Sequence, residues 1–216
     1  LVPVRSGIPR VVYRETVSTS GEGEGVFDRE IDGKAQFARV VVHLEPAPRG
    51  SGIAVNVNHP NLPEEFKEPV ERALVASVES GPLGGYRLVD LSASVVDATF
   101  NELRSTQTAF EVASAIGFQA ASEKASPILL EPIMDVEVVT PEEFLGNIIN
   151  DLNSRKGKIE EVATRENSSS VKTLIPLADM FGYSTDLRSV SEGRATYSMK
   201  FSQYDAIDRT KGKERA

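Results

Sequence analysis

Apolar residues recur along this chain at two spacings, and proline and glycine mark where one spacing gives way to the other. Residues 11–17 fit an extended segment with Val11, Tyr13, Glu15 and Val17 on one face. Residues 18–25, STSGEGEG, read as a polar glycine-rich loop. Residues 37–44, centred on Val40, Val41 and Val42, predict a strand that Pro46, Pro48, Gly50 and Gly52 end. Ile53, Val55 and Val57 alternate with small or polar residues, as in a half-buried strand, and residues 58–63 form a turn cluster.

A helix follows, with Pro69 placed in its first turn, where a missing N–H is tolerated. Val70, Ala73, Leu74, Ser77 and Val78 lie on its inner face, and Gly81 with Pro82 stops it. Residues 86–99 predict one long strand carried by Leu88, Val89, Leu91, Val95 and Val96. After a polar loop at 101–104, Ser105 or Thr106 is placed to cap a second helix. Its expected buried stripe is Ala109, Val112, Ala113, Ile116 and Ala120, and Pro127 closes the unit. The first domain thus reads strand, strand, helix, strand, helix.

The second half is more regular. Residues 133–139 predict a strand, and Thr140-Pro141-Glu142-Glu143 has the form of a capping box with proline at the first helical position. The helix is expected to reach Arg155, with Phe144, Ile148, Ile149 and Leu152 inward and Gly157 as its stop. A strand at 158–164, a polar turn at 165–170, a strand at 171–175, a helix at 177–189 and a last strand at 194–204 complete the order βαββαβ. In the last strand Ala195, Tyr197, Met199 and Phe201 alternate with polar residues, and Met180, Phe181 and Tyr183 read as core. That order is the ferredoxin-like split βαβ pattern, so the fold class is α+β with two domains. Residues 1–12 read as a connector and 207–216 as a charged tail.

Composition narrows the chemistry. The 216 residues carry a net charge of −8, which argues against tight independent binding of nucleic acid. With no cysteine the chain has no disulfide, no thiolate metal site and no cysteine nucleophile, which fits a reducing compartment. No run of about 20 apolar residues predicts a membrane-spanning helix, and no membrane partner is expected. The chain begins at Leu1 rather than methionine and is read as a fragment. His43 and His59 are far apart with no local metal spacing, so no metal site is expected. Glu64, Glu65, Glu68 and Glu71 read as a solvated face. By residue type alone, Gly33, Lys34 and Gln36 belong to a hairpin turn, and Asn101 to another turn. Arg188 complements a helix C-terminus beside Thr185 and Ser189.

Longer strings say more. Leu130-Glu131-Pro132-Ile133-Met134, then residues 136–143, Gly146-Asn147, residues 151–157, the run Pro176 to Ser189 and Gly193 to Met199 are similar to the last domain of elongation factor G. Tyr13-Arg14-Glu15-Thr16, Glu45-Pro46, Gly50-Ser51-Gly52 and the run Glu79 to Tyr86 resemble the family's fourth domain. The resemblance covers about residues 8–204. It implies a domain IV-like part at 13–128 and a domain V-like part at 129–206. It also implies a left-handed βαβ crossover in the first, against the general rule for such units.

The resemblance further implies a translocase of the ribosome, with ribosomal RNA, transfer RNA, messenger RNA and ribosomal proteins as partners, a monomeric state and a cytoplasmic setting. An organelle form stays open. There is no G-x-x-x-x-G-K-[ST] phosphate loop in these residues. GTP and Mg²⁺ are therefore expected in GTPase domains N-terminal to this chain, and no catalytic residue or cofactor within it. Two loops are implied as an RNA-contacting tip, with Gly33, Lys34, Gln36, Asn101 and Arg104 as its residues. Thr185, Arg188 and Ser189 are implied to face large-subunit ribosomal RNA. The chain departs from the family's usual pattern in having Asp32 and Ala35 in place of two glycines, Asn101 in place of histidine and Arg104 in place of an acidic residue. These departures point to a divergent paralogue.

Alternatives remain at this level. One is a recycling paralogue that splits ribosomes. A small-molecule enzyme would need a glycine-rich loop opening a helix, which neither helix of the first domain has. A ligand-sensing ferredoxin-like module would be a dimer with a pocket. Convergence of residues 32–36 and 100–105 at one exposed end favours the arm; burial against a pocket favours the others.

Overall fold

A computed structural model describes residues 11–165 and 168–207. Most of the expected connector, part of the turn at 165–170 and the tail beyond residue 207 lie outside the described residues. The chain forms two compact units, one of residues 13–130 and one of the remainder, and each has its own buried apolar cluster.

In the first unit, β1 (Arg14–Val17) is followed by β2 (Gly21–Ile31), β3 (Lys34–Pro46), β4 (Ile53–Asn56), α1 (Glu64–Ser77), β5 (Leu91–Thr99) and α2 (Gln107–Lys124). The sheet order is β2-β3-β5-β4, with β4 and β5 parallel and joined through α1. The latter part of the stretch expected as a glycine-rich loop, residues 21–25, is instead the first half of β2. Its glycines are a packing requirement: a Cβ on Gly21, Gly23 or Gly25 would lie 2.7, 2.2 or 1.8 Å from backbone atoms of α2. Only hydrogen fits there, so glycine here marks close approach of strand and helix.

That approach also rotates the inner face of α2 away from the expected stripe. Ala113, Gly117 and Ala121 are buried together with Phe110 and Phe118. Ile116 is exposed, while Val112 and Ala120 are only half-buried. Thr106 caps the helix as expected, accepting from the Ala109 N–H at 3.1 Å. Pro69 is not in the first turn of α1: the helix starts at Glu64 after Pro63, and Pro69 sits inside it, buried. Its missing N–H leaves one carbonyl of the preceding turn without a helical bond. The strand expected from residue 86 begins only at Leu91, because Asp90 takes φ 56°, where no strand continues. Just before that break, Leu88 makes an isolated bridge to Glu15.

Pro127 does not end the unit but opens β6 (Pro127–Thr140). Its first four residues pair with β1, and the rest belongs to the second unit, with α3 (Leu145–Ser154), β7 (Lys158–Arg165), β8 (Ser168–Pro176), α4 (Tyr183–Val190) and β9 (Thr196–Ala206). The order β9-β6-β8-β7 is the ferredoxin-like arrangement. The capping box does not form. Thr140 remains in the strand with its hydroxyl donating to the Pro141 carbonyl at 3.2 Å, and residues 142–144 make a 3₁₀ turn before α3. At the other end of α3 the left-handed residue is Lys156, φ 61°. Gly157 donates to the Leu152 carbonyl at 2.9 Å, and a Cβ there would lie 2.6 Å from that oxygen. The helix expected at 177–189 is split into a 3₁₀ turn and α4 by Gly182, φ 80°. Met180 and Tyr183 are buried; Phe181 is exposed.

Candidate nucleic-acid interface

The pairing of β2 with β3 runs without a break from Gly21↔Leu44 to Ile31↔Lys34. Asp32 and Gly33, both at positive φ (51° and 74°), close it as a tight two-residue turn. Gly33 supplies the conformation that a side chain resists, and Asp is among the residues that tolerate it. The hairpin outruns its sheet, because β3 pairs with β5 only up to Arg39↔Thr99. From Arg39 to Lys34 it continues for about 17 Å at strand rise, and residues 28–35 are all exposed.

The chain leaving β5 folds back onto this hairpin stem. Asn101 builds the loop: its Oδ1 accepts from the Leu103 N–H at 3.0 Å and its carbonyl from the Ser105 N–H at 2.8 Å. Its own N–H donates to Ser105 Oγ at 2.9 Å. Ser105 Oγ in turn donates to the Phe37 carbonyl at 2.7 Å, and the Phe37 N–H donates to the Arg104 carbonyl at 2.9 Å. Thr106 Oγ1 donates to Gln36 Oε1 at 2.8 Å. The Arg104 guanidinium pairs with Asp28 and lies 5.6 Å from the centre of the Phe37 ring. The loops at 32–36 and 100–105 therefore converge at one exposed end.

The expected tip residues divide into two kinds. Gly33 and Lys34 stand open at the turn, and Lys34 forms no ion pair among the described residues. Gln36, Asn101 and Arg104 hold the second loop against the first. Leu103 was not singled out by its sequence, yet it is 96 % exposed at the crown of that loop. The available signal was a leucine inside the polar run Asn101-Glu102-Leu103-Arg104-Ser105-Thr106 between a strand and a helix. Asp28 and Phe37 were also missed, because each supports the loop from a distant part of the sequence, and Thr106 was read only as a helix cap. The tip has no excess of cations: outside the Asp28–Arg104 pair it carries Glu30, Asp32 and Glu102 against Arg29 and Lys34. Shape and hydrogen bonding, not charge, distinguish this end.

On the open face of the same sheet, Arg39 bonds Glu24 and Asp97, and Asn61 donates to Asp97 at 3.0 Å. The Arg39 guanidinium, followed by the Asn61 amide, holds the Asp97 carboxyl down at about 2. His43 lies between Glu22 at 3.3 Å and Glu45 at 3.1 Å.

In the second unit, Thr185, Arg188 and Ser189 share the exposed side of α4, whose Tyr183 and Leu187 are buried. Arg155 anchors the helix from beneath. It donates to Asp151 at 3.0 Å and to the Asp179 carbonyl at 2.8 Å, pairs with Asp186, and lies 5.0 Å from the Tyr183 ring centre. Burial holds the Tyr183 hydroxyl well above its ordinary range. Among the described residues no group of three or more histidine or acidic side chains is placed to hold a metal ion, and no helix is long and apolar enough to cross a membrane.

Comparison with known proteins gives a consistent result. The family described as elongation factor G, domain IV, matches residues 9–126, and the elongation factor G C-terminus matches residues 128–215. Elongation factor G of Aquifex pyrophilus is 41% identical over 208 residues, covering 95% of this chain and 30% of that protein. A crystal structure of a protein from Thermus thermophilus superposes with a TM-score of 0.83 at 29% identity, covering 94% of this chain and 31% of that one. The chain thus spans less than a third of the length of either relative.

Proposed function

The chain belongs to the elongation factor G family, and from that premise we propose that it is the ribosome-facing arm of a translation factor, acting by position and not by chemistry of its own. Residues 13–128 serve as the domain IV-like arm and 129–206 as the domain V-like base. The crown of the arm is Asp32, Gly33, Lys34 and the loop 100–106, and it enters the decoding region of the small subunit to move transfer and messenger RNA. The exposed side of α4, with Thr185, Arg188 and Ser189, docks on large-subunit ribosomal RNA. GTP, Mg²⁺ and hydrolysis belong to a part of the longer protein outside these residues.

The observation that carries this reading is the braced tip. A tip that displaces RNA sterically must hold its shape under load, and this one is tied by three hydrogen bonds and an ion pair between two loops far apart in sequence. A lever moved by a nucleotide-linked state change needs such a rigid end. An acidic balance suits it, because it limits adhesion to RNA in general.

The test is single-turnover translocation and subunit splitting, measured in parallel with the full-length factor and its Lys34→Ala/Asn101→Ala variant. Translocation should fall by about tenfold or more while ribosome-stimulated GTP hydrolysis stays within about twofold. Loss of splitting alone would make the protein a recycling paralogue. No change in either would remove these residues from the mechanism.

A further inference from the structure

Beside the crown, between the start of α1 and the loop 100–106, lies a cleft of about 360 Å³ lined by Glu65, Phe66, Phe100, Asn101, Glu102 and Gln107 together with Ser105 and Thr106. The Phe66 ring is buried, stacked on Phe110 at 4.3 Å between centres. Phe100 is 43 % exposed. The Ser105 and Thr106 hydroxyls are already engaged with Phe37 and Gln36. The Glu65 and Glu102 carboxylates, both on exposed residues, form no hydrogen bond or ion pair among the described residues. Carboxylates around them do: Glu64 with Lys67, Glu68 with Arg72, Glu111 with Arg72 and Asp28 with Arg104. No lysine, arginine or histidine lines the cleft.

A phosphate there would meet two carboxylates and no cation, so the cleft selects against the RNA backbone that the crown is proposed to approach. A planar cation meets the opposite conditions, with carboxylates to accept its N–H groups and an open aromatic ring to cover its face. We propose that this cleft holds an arginine side chain of a basic polypeptide beside which the arm comes to rest. Arginine fits better than lysine because its flat guanidinium can lie on Phe100 while its edge donates to carboxylate. The preference for a guanidinium rests on the cleft's lining, and that its owner is a neighbour of the arm rests on the proposed function.

The test uses the whole 216-residue chain, labelled with nitrogen-15 and titrated with a blocked Gly-Arg-Gly peptide. Parallel titrations use the lysine counterpart, spermidine and a single-stranded RNA tetranucleotide. The arginine peptide should shift the amides of Phe100, Asn101, Glu102 and Gln107. Glu65→Gln/Glu102→Gln should weaken it by about tenfold, while Glu160→Gln/Glu192→Gln, an equal change of charge elsewhere, should leave it within about twofold. An unperturbed remainder of each variant's spectrum shows that the fold is kept. Four outcomes would overturn the proposal: no local shifts, equal weakening in both double variants, equal shifts with spermidine, or the same residues shifted by the RNA. No ribosome is present, so failure here retires the cleft and leaves the proposed function to its own test.

Discussion

Arg104 and Asp28 stand 76 residues apart in sequence and are paired across the two loops of the tip. The guanidinium covers the Phe37 ring as it reaches the carboxylate, so one side chain fixes both the height of the loop 100–106 and its distance from the hairpin. Both partners are partly exposed, at 37 % and 54 %. Their coupling should therefore be modest, about 0.5–1 kcal/mol in a double-mutant cycle on Asp28→Ala and Arg104→Ala. The larger effect expected is local. Amide exchange of Leu103 and Ser105 should speed up in either variant while α2 is unchanged, and unchanged exchange in the loop would show that the pair does not brace it.

Glycines in this chain fall into two classes that alanine substitution should separate. At Gly25 a Cβ would lie 1.8 Å from the Ala113 carbonyl oxygen, so Gly25→Ala must push α2 off the sheet. A loss of about 3 kcal/mol or more in urea unfolding is expected. At Gly33 there is open space but φ is 74°, so Gly33→Ala should cost only about 1 kcal/mol. Equal losses at the two positions would contradict the packing described for β2.

Glu15 is fully buried, and its carboxylate accepts from the N–H groups of Leu83, Gly84 and Tyr86 at 2.9, 2.8 and 3.1 Å. Glu15→Ala removes a fully buried side chain and leaves three backbone donors without their acceptor. The first unit should lose about 3 kcal/mol or more, read by chemical denaturation. A loss under about 1 kcal/mol would mean that water replaces the carboxylate.

Asp97 gives a pH signature. Its folded pKa, about 2, is depressed below the ordinary aspartate value of 3.8 by Arg39 and then Asn61. The stability it contributes is present above the unfolded value and is lost as the pH falls through about 4 towards 2. Carbon-detected NMR of the Asp97 carboxyl should show a midpoint near the lower figure, rising towards the ordinary range in Arg39→Ala. A wild-type midpoint close to the ordinary value would show that the Arg39 contact is not held in solution.

Much of this was legible in the sequence, and the failures share a cause. Most strands and helices of the second unit follow from spacing, most plainly where a regular apolar face is buried, as at Val136 and Val138; in β9 the expected alternation is present, yet Tyr197, Met199 and Phe201 are exposed. The strand β2 was hidden because Gly21, Gly23 and Gly25 signal a loop until the helix they touch is known. The inner face of α2 was misjudged at Ile116 for the same reason: the partner surface, not the helix, decides which residues must be small. The tip was legible as two loops, and the resemblance to a known family placed them. What no local pattern could give was their joining, which depends on Asp28, Phe37 and Gln36 meeting residues nearly seventy or more positions away.

The most direct test of the account is to ask what the crown touches. The 216 residues contain no cysteine, so, once any cysteine elsewhere in the full-length factor is replaced by serine, Leu103→Cys can carry a short photocrosslinker at the most exposed apolar position of the tip, with Thr185→Cys as its counterpart on α4. On ribosomes held with a non-hydrolysable GTP analogue, the label at 103 should join to small-subunit decoding RNA, messenger RNA or transfer RNA, and the label at 185 to large-subunit RNA. Crosslinks from position 103 confined to the factor itself or to large-subunit RNA would contradict the account.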